Sequence, residues 1–201
     1  MALPRKILEE KFRRFVEDDV GHGDITTSYT VPHGTLAEAE VIVKEKGTIA
    51  GLEEALVLAE EFGLQAKPLI KDGSRAASKT RVLHLEGEAT AMLAIERTLL
   101  NLLSRMSGIA TRTNLLVEKV RRAGYKTIVA ATRKTGLGMA YFDKKAVTLG
   151  RGDPHRYGLD DMILIKDNHI AVAGSITDTV AKTRKKASFS KKIEVEISHP
   201  S

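Results

Sequence analysis

The 201-residue chain contains no cysteine and no tryptophan. The first absence excludes disulfides, thiolate catalysis and cysteine-based metal sites. The second, with aromatics at only 4 % of residues, removes the stacking platform on which proteins seat unpaired bases. Long apolar runs are missing as well: no stretch approaches the ~18 apolar residues of a membrane span. The N-terminal stretch MALPRKILEEKFRRF is charged throughout and has no signal-peptide apolar block. It implies a cytoplasmic protein with no membrane partner.

What is present is ordinary in amount and uneven in placement. Apolar residues make up 42 % and charged residues 29 %, with a net charge of +6. Such an excess fits a lysine-rich solvated surface, a nucleic-acid surface or a pocket for small polyanions. The dearth of aromatics disfavours nucleic acid, and the positions of the cations decide the rest.

Along the chain, residues 4–18 have helical spacing, with Leu8, Phe12, Phe15 and Val16 on one side. GHGDITT (21–27) is a loop of turn and cap residues. AEAEVIVK (37–44) alternates as a strand, and LEEALVLAEEFG (52–63) is a short helix stopped at Gly63. Two further strands are expected near 65–70 and 81–86, joined by KDGS. Residues 89–106 carry the strongest helical stripe: Met92, Ile95, Leu99, Leu102, Leu103 and Met106, widened by Leu93 and Leu100. That width predicts burial on more than one side. Gly108 is expected to break this helix, with a second over about 110–122. Thereafter TIVAAT (127–132), MILIK (162–166) and IEVEI (193–197) are short β-rich runs separated by helical segments. That alternation implies parallel strands with right-handed crossovers. The expected fold is therefore α/β: an N-terminal α+β sandwich-like domain with a long linking helix over 1–106, then a partial α/β-barrel domain over 107–201.

Ligands of such folds gather at the carboxyl ends of the strands. There TIVAAT runs into Thr132, Arg133 and Lys134, MILIK ends in Lys166 before Asp167, Asn168 and His169, and IEVEI carries Glu194 and Glu196. The loop before MILIK adds Arg151, His155 and Arg156. If the strands are neighbours, their ends form one cationic rim. Arginine offers two-pronged bonding to carboxylate or phosphate and lysine a point charge, so the rim suits a ligand with several negative groups. Blander readings exist for each residue. Lys166 could only snorkel from a buried strand, His155 and His169 could be loop histidines, GDPHR could be a turn, and His22 could be loop architecture. Arg97 beside the helical stripe is either a solvated flank or a buried cation in need of an anion.

In order, GHGDITT, EGEATAMLAIERTLLNLLSRMSGIATRT, ATRKT, KKAVTLGRGDPHRYGLDDMILIKDNH and IEVEI resemble the quinolinate phosphoribosyltransferase family, also called carboxylating nicotinate-nucleotide pyrophosphorylases. The resemblance implies transfer of phosphoribosyl from phosphoribosyl pyrophosphate to quinolinate, with loss of CO₂ and with Mg²⁺ as cofactor. By similarity Arg97, Arg133, His155, Arg156 and Lys166 bind the quinolinate carboxylates and neighbouring phosphates. Lys134 contacts the phosphoribosyl substrate or stabilises charge at the reacting end, with Lys166 and Glu196 beside it as the catalytic set. Thr132 lies in the same binding run, and Glu196 matches a ribose- or metal-side carboxylate. The metal ligands are not assigned. The resemblance also implies a homodimer or higher oligomer in which Arg97 reaches the partner's site. The chain departs from the family pattern in several places, and DGSRAASKT lacks the glycine turn expected before the next strand. GLGMAYFDKK follows TRKT where the family has Pro-Gly-x-Arg, Gly150-Arg151-Gly152 stands for a glycine triplet, and family members continue past IEVEI. These departures leave room for a shortened or inactive paralogue serving as a dimerisation or regulatory fragment, or for a sibling enzyme with another acidic substrate.

Overall fold

In the computed structural model, residues 3–197 are described, and they divide into two compact units. The first comprises residues up to 131 together with 135–154, and the second comprises 132–134 together with 155 onward.

The first unit opens with α1 (Arg5–Val20), which buries Leu8, Phe12 and Val16, four residues apart and hence on one face. GHGDITT is a turn followed by a short helix, α2 (Ile25–Thr30). Asp24 caps it by accepting the Thr27 N–H at 3.0 Å. An antiparallel sheet then forms from β1 (Leu36–Ile42), β3 (Gln65–Pro68) and β5 (Arg81–Glu88), with β5 central. In β1 Ala37, Ala39 and Val41 turn toward the core while Glu38 and Glu40 face out, the period-2 pattern of a sheet wetted on one side. A small second sheet pairs β2 (Gly47–Thr48) with β4 (Arg75–Ala76). Between them α3 (Leu52–Glu61) buries Leu52, Ala55, Leu58 and Ala59.

One helix, α4 (Ala89–Arg122), spans 34 residues. Gly108 does not break it, and the boundary expected at 106/107 falls inside it. Most of its buried residues form a single stripe, among them Met92, Ile95, Leu99, Leu102, Leu103, Met106, Ala110 and Val117. Leu93 remains 43 % exposed, so the expectation of burial on more than one side is corrected. The stripe needs only one packed face once the helix is this long. Helix α5 (Ala140–Leu149) inserts Phe142, fully buried, with its ring centroid 5.9 Å from that of Phe12 and 6.1 Å from that of Phe15. Just past α5 the chain runs close against α4. A Cβ at Gly150 would lie 2.5 Å from the Ala110 carbonyl oxygen, so only glycine fits there.

The second unit holds β6 (Ile163–Ile165), α6 (Asp167–Ala173), α7 (Ile176–Lys186) and β7 (Ile193–Val195). β6 and β7 pair in parallel, Ile163 with Ile193 and Ile165 with Val195, as strand–helix–strand alternation required. Ser175 caps α7, whose last turn carries Arg184, Lys185 and Lys186. Cations there complement the helix dipole. TIVAAT does not become a third strand of this sheet. It makes one isolated parallel bridge, Ala130 with Asp153, and Ile128 is 70 % exposed. A β-prone run pairs only where a neighbour supplies donors and acceptors along its length, and among the described residues none does.

Candidate active site

Two parallel strands therefore define the rim in place of three. Lys166 is the first residue after β6 and the cap of α6. Its backbone N–H donates to His169 Nδ1 at 3.0 Å, so His169 in its neutral form carries its proton on Nε2. The Lys166 ammonium lies 2.9 Å from Glu196 Oε2. Glu196 itself is held by its N–H, which donates to the Ile165 carbonyl at 2.9 Å. Two residues earlier on β7, Glu194 Oε2 sits 3.0 Å from His155 Nε2. Glu194 on β7 and Glu196 just past its end are each paired with a candidate anion-binding group. His155 adopts φ +53°. That conformation is uncommon outside glycine and is one that histidine tolerates better than most.

Arg156 is 7 % exposed and donates from Nη1 to the Met162 carbonyl at 3.3 Å. This places that contact just before the amino end of β6, whereas Lys166 stands at the carboxyl end. The strand between them has three residues, about 10 Å of rise. Arg156 is thus a buried positive charge anchored by backbone at the other end of β6 from Lys166, and the structure does not bring that contact to the carboxyl-end rim. Thr132, Arg133 and Lys134 are exposed and belong to this unit. The Lys134 N–H donates to Thr132 Oγ1 at 3.1 Å, tightening the three-residue run. Among the described residues the side chains of Arg133 and Lys134 make no hydrogen bond or ion pair, so their charges remain available to a ligand. Nearby, burial and then the Asp161 charge push the Tyr157 phenol above its usual value.

Arg97 belongs to the first unit. It is exposed and lines a groove of about 680 Å³ along α4, with Lys44, Lys46, Arg112, Val41 and Leu100. Within one chain its guanidinium is therefore solvated. The one group of three potential metal ligands among the described residues is Glu38, His84 and Glu86, mutually within 4.8 Å. They lie in the first unit, and in sequence only their alternation hinted at a shared sheet face.

Two clusters escaped sequence reasoning. Arg105 grips Asp143 with both prongs, Nε to Oδ1 at 2.7 Å and Nη2 to Oδ2 at 2.8 Å. The hydrogen bond to Asp143, and secondarily its charge, outweigh burial and hold the guanidinium above its usual range. Glu54, 1 % exposed, accepts from the Tyr141 hydroxyl at 2.9 Å and from Lys145 Nζ at 2.7 Å. The partners lie 38 and about 90 positions apart, and no local pattern joins them.

The quinolinate phosphoribosyl transferase N-terminal domain model matches residues 24–107 and the C-terminal domain model matches 109–201. A probable nicotinate-nucleotide pyrophosphorylase [carboxylating] of Methanothermobacter thermautotrophicus is 44 % identical over 188 residues, covering 94 % of this chain and 67 % of that protein. The nicotinate-nucleotide pyrophosphorylase [carboxylating] of Mycobacterium leprae is 42 % identical, covering 87 % of this chain and 63 % of that protein. The crystal structure of NadC from Streptococcus pyogenes superimposes with a TM-score of 0.89 at 34 % identity, over 98 % of this chain and 70 % of that one. The chain thus spans about two thirds of the length of its relatives.

Proposed function

The chain belongs to the quinolinate phosphoribosyl transferase family, and on that premise we propose that it transfers phosphoribosyl from phosphoribosyl pyrophosphate to quinolinate. The products are nicotinate mononucleotide, CO₂ and diphosphate, a step of NAD biosynthesis. One observation carries the reading: Arg133, Lys134, His155, Arg156, Lys166 and Glu196 all belong to the compact unit built on the parallel pair β6 and β7. A dicarboxylate and a polyphosphate are the ligands such a set attracts.

In this reading Arg133, His155 and Lys166 hold the pyridine carboxylates, and the buried charge of Arg156 deepens the positive field around them. A quinolinate carboxylate reaching Lys166 takes the place of Glu196, which is then free to turn toward the ribose. The C1′–oxygen bond breaks with its electron pair leaving on the diphosphate, where Lys134, steadied by Thr132, balances the growing negative charge. The pyridine nitrogen, held by its carboxylates, donates its lone pair to C1′. The ring is now cationic. The bond from C2 to its carboxylate breaks, CO₂ departs, the pair stays on C2 beside the positive nitrogen, and a proton from water closes the step. Glu194 and Glu196 would supply hard oxygen donors to a magnesium ion, and such an ion would help to neutralise leaving-group charge. We also assign a cytoplasmic setting and a homodimer with Arg97 at the partner's site. No described helix is long and apolar enough to cross a membrane.

The test is diphosphate and CO₂ release from the full chain with both substrates and Mg²⁺. Lys134→Ala is expected to lower kcat roughly a hundredfold or more. No quinolinate binding by calorimetry, together with no quinolinate-dependent diphosphate release, would end this reading.

A further inference from the structure

The run that carries Thr132, Arg133 and Lys134 leaves the first unit after Ala131 and returns to it at Thr135. Both ends of this short excursion are pinned within the first unit. On the entering side the Ala131 N–H donates to the Asp153 carbonyl at 2.9 Å, and the Asp153 N–H donates to the Val129 carbonyl at 2.9 Å. On the returning side the Gly136 N–H donates to Asp143 Oδ2 at 3.4 Å. Asp143 is 6 % exposed, and the two-pronged Arg105 grip sets its orientation. Gly136 also passes close to the guanidinium: a Cβ there would lie 3.0 Å from Arg105 Nη2. The Met139 N–H donates back to the Gly136 carbonyl at 3.0 Å, and the Asp143 N–H donates to the Met139 carbonyl at 2.9 Å. The loop's return is thereby tied to the start of α5 through Arg105 of α4.

We propose that Arg105 and Asp143 are positioning residues: they fix the returning end of the three-residue run so that Arg133 and Lys134 are pre-set for their anionic ligand. This rests on the functional reading above. Neither residue touches substrate. Their effect travels through the Gly136 N–H and a backbone only two residues from Lys134. Short excursions with both ends fixed have few conformations. Freeing one end restores many, and misplacing a binding group by about 1 Å can cost roughly a hundredfold. An arginine is required for the role, because a lysine supplies one point contact in place of the fork that orients the carboxylate.

The experiment compares wild type, Arg105→Ala, Arg105→Lys and Asp143→Asn as full chains. Arg75→Ala serves as the control. It removes another α4 ion pair, with Glu118, that has no link to the loop. Two readouts are taken well below the melting temperature: amide exchange in a peptide spanning 132–138, and quinolinate affinity by calorimetry. Arg105→Ala and Asp143→Asn are expected to speed exchange in that peptide and to weaken quinolinate roughly ten- to a hundredfold. Arg105→Lys should fall between these and wild type, and Arg75→Ala should match wild type in both readouts. A purely structural role would lower the melting temperature and leave affinity and exchange of the folded chain unchanged, and that result overturns the proposal. Wild type that binds quinolinate while Arg105→Ala binds it equally well also overturns it, with the functional reading intact. Wild type that fails to bind overturns the functional reading instead. The exchange data then judge the clamp alone, and unchanged exchange sinks that too.

Discussion

Replacing Glu54 with leucine tests the energetics of the first unit most sharply. The Glu54 carboxylate is buried at 1 % exposure, and its Oε1 accepts from both Tyr141 and Lys145. Its Oε2 finds no protein donor among the described residues. Removing the carboxylate strands the Tyr141 hydroxyl, which costs about 1–3 kcal/mol. It also takes the buried counter-ion from Lys145, and breaking a buried pair costs about 3–5 kcal/mol. That second figure needs a discount. Lys145 keeps Glu53 at 2.6 Å, although Glu53 is 71 % exposed and its attraction is screened by water. Leucine also regains some apolar contact. The net loss comes to about 3 kcal/mol, which for a chain of this size lowers Tm by about 6–12 °C. Glu54→Leu with Lys145→Met should be less damaging than Glu54→Leu alone, because no unpaired buried charge is left behind.

The same cluster sets an alkaline limit. Burial, then the Glu54 charge and hydrogen bond, push the Tyr141 phenol up to about 12. Burial pulls the Lys145 ammonium down, but its bonds to Glu53 and Glu54 outweigh that, and the net displacement is upward. Both groups therefore bind their protons more tightly in the folded chain. Their contribution to stability is complete below the unfolded phenol value of 10.0 and declines as pH rises toward 12. The tyrosine share is at most about 3 kcal/mol. Denaturant melts of wild type, both variants and Tyr141→Phe from pH 8 to 11.5 provide the measurement. A Glu54→Leu loss under about 1 kcal/mol, or a double variant as damaged as the sum of its singles, would refute the account.

Three further outcomes follow from single contacts. Gly150→Ala forces a Cβ to 2.5 Å from the Ala110 carbonyl and 2.7 Å from Thr113 Cβ, and it should cost about 1–3 kcal/mol in a thermal melt. Asp24→Ala removes the α2 cap and should lower Tm at pH 7. Hydrogen bonds from Thr27, side chain and then backbone, hold the Asp24 carboxyl below its ordinary value of 3.8, so the gap should be complete above 3.8 and close as pH falls through the lower folded value. Lys166→Ala should weaken quinolinate roughly tenfold or more by calorimetry, while Lys191→Ala in the same unit should not.

Much of this architecture was legible where a pattern repeats locally. The i, i+4 apolar positions of α1, the alternation of β1 and the Met92-to-Met106 stripe each place a face toward the core, and each is buried as the spacing requires. The pairing of MILIK with IEVEI was legible too, because a helical segment between two β-rich runs leaves parallel pairing as the natural connection. TIVAAT misled because strand propensity describes fit to a sheet, and the partner strand is not encoded in the run itself. At the site, the sequence marked Lys166 and Glu196 at the ends of β-rich runs and His155 in the loop before MILIK, but it gave no sign of how they pair. Glu194 emerged as the His155 partner only when β7 was set beside β6. The Arg105–Asp143 and Glu54–Lys145 pairs were silent because long-range ion pairs leave no periodic trace.

Gly108 shows why magnitude decides such questions. A glycine inside a helix costs about 1 kcal/mol relative to alanine, enough to suggest a break when only the sequence is weighed. Against that stand contacts on both sides of it. Ser107 Oγ accepts from the Ala50 N–H at 3.1 Å and Thr111 Oγ1 accepts from the Thr48 N–H at 2.8 Å, fastening the helix to β2 and its flank. Farther on, Asn114 accepts from Arg75 at 2.8 Å, and Val117 is buried at 6 % exposure. Burying one such valine returns about 1.5–3 kcal/mol by itself, so a break at Gly108 would forfeit more than it relieves. The helix runs on, and the glycine penalty is still being paid. An ideal Cβ at Gly108 meets nothing within 4 Å. Gly108→Ala should therefore stabilise the chain by about 1 kcal/mol, raising Tm by about 2–4 °C. A fall in Tm on making this substitution would mean that the helix needs glycine there for a reason other than backbone freedom, and the reading of α4 as one uninterrupted rod held by its packing would have to be given up.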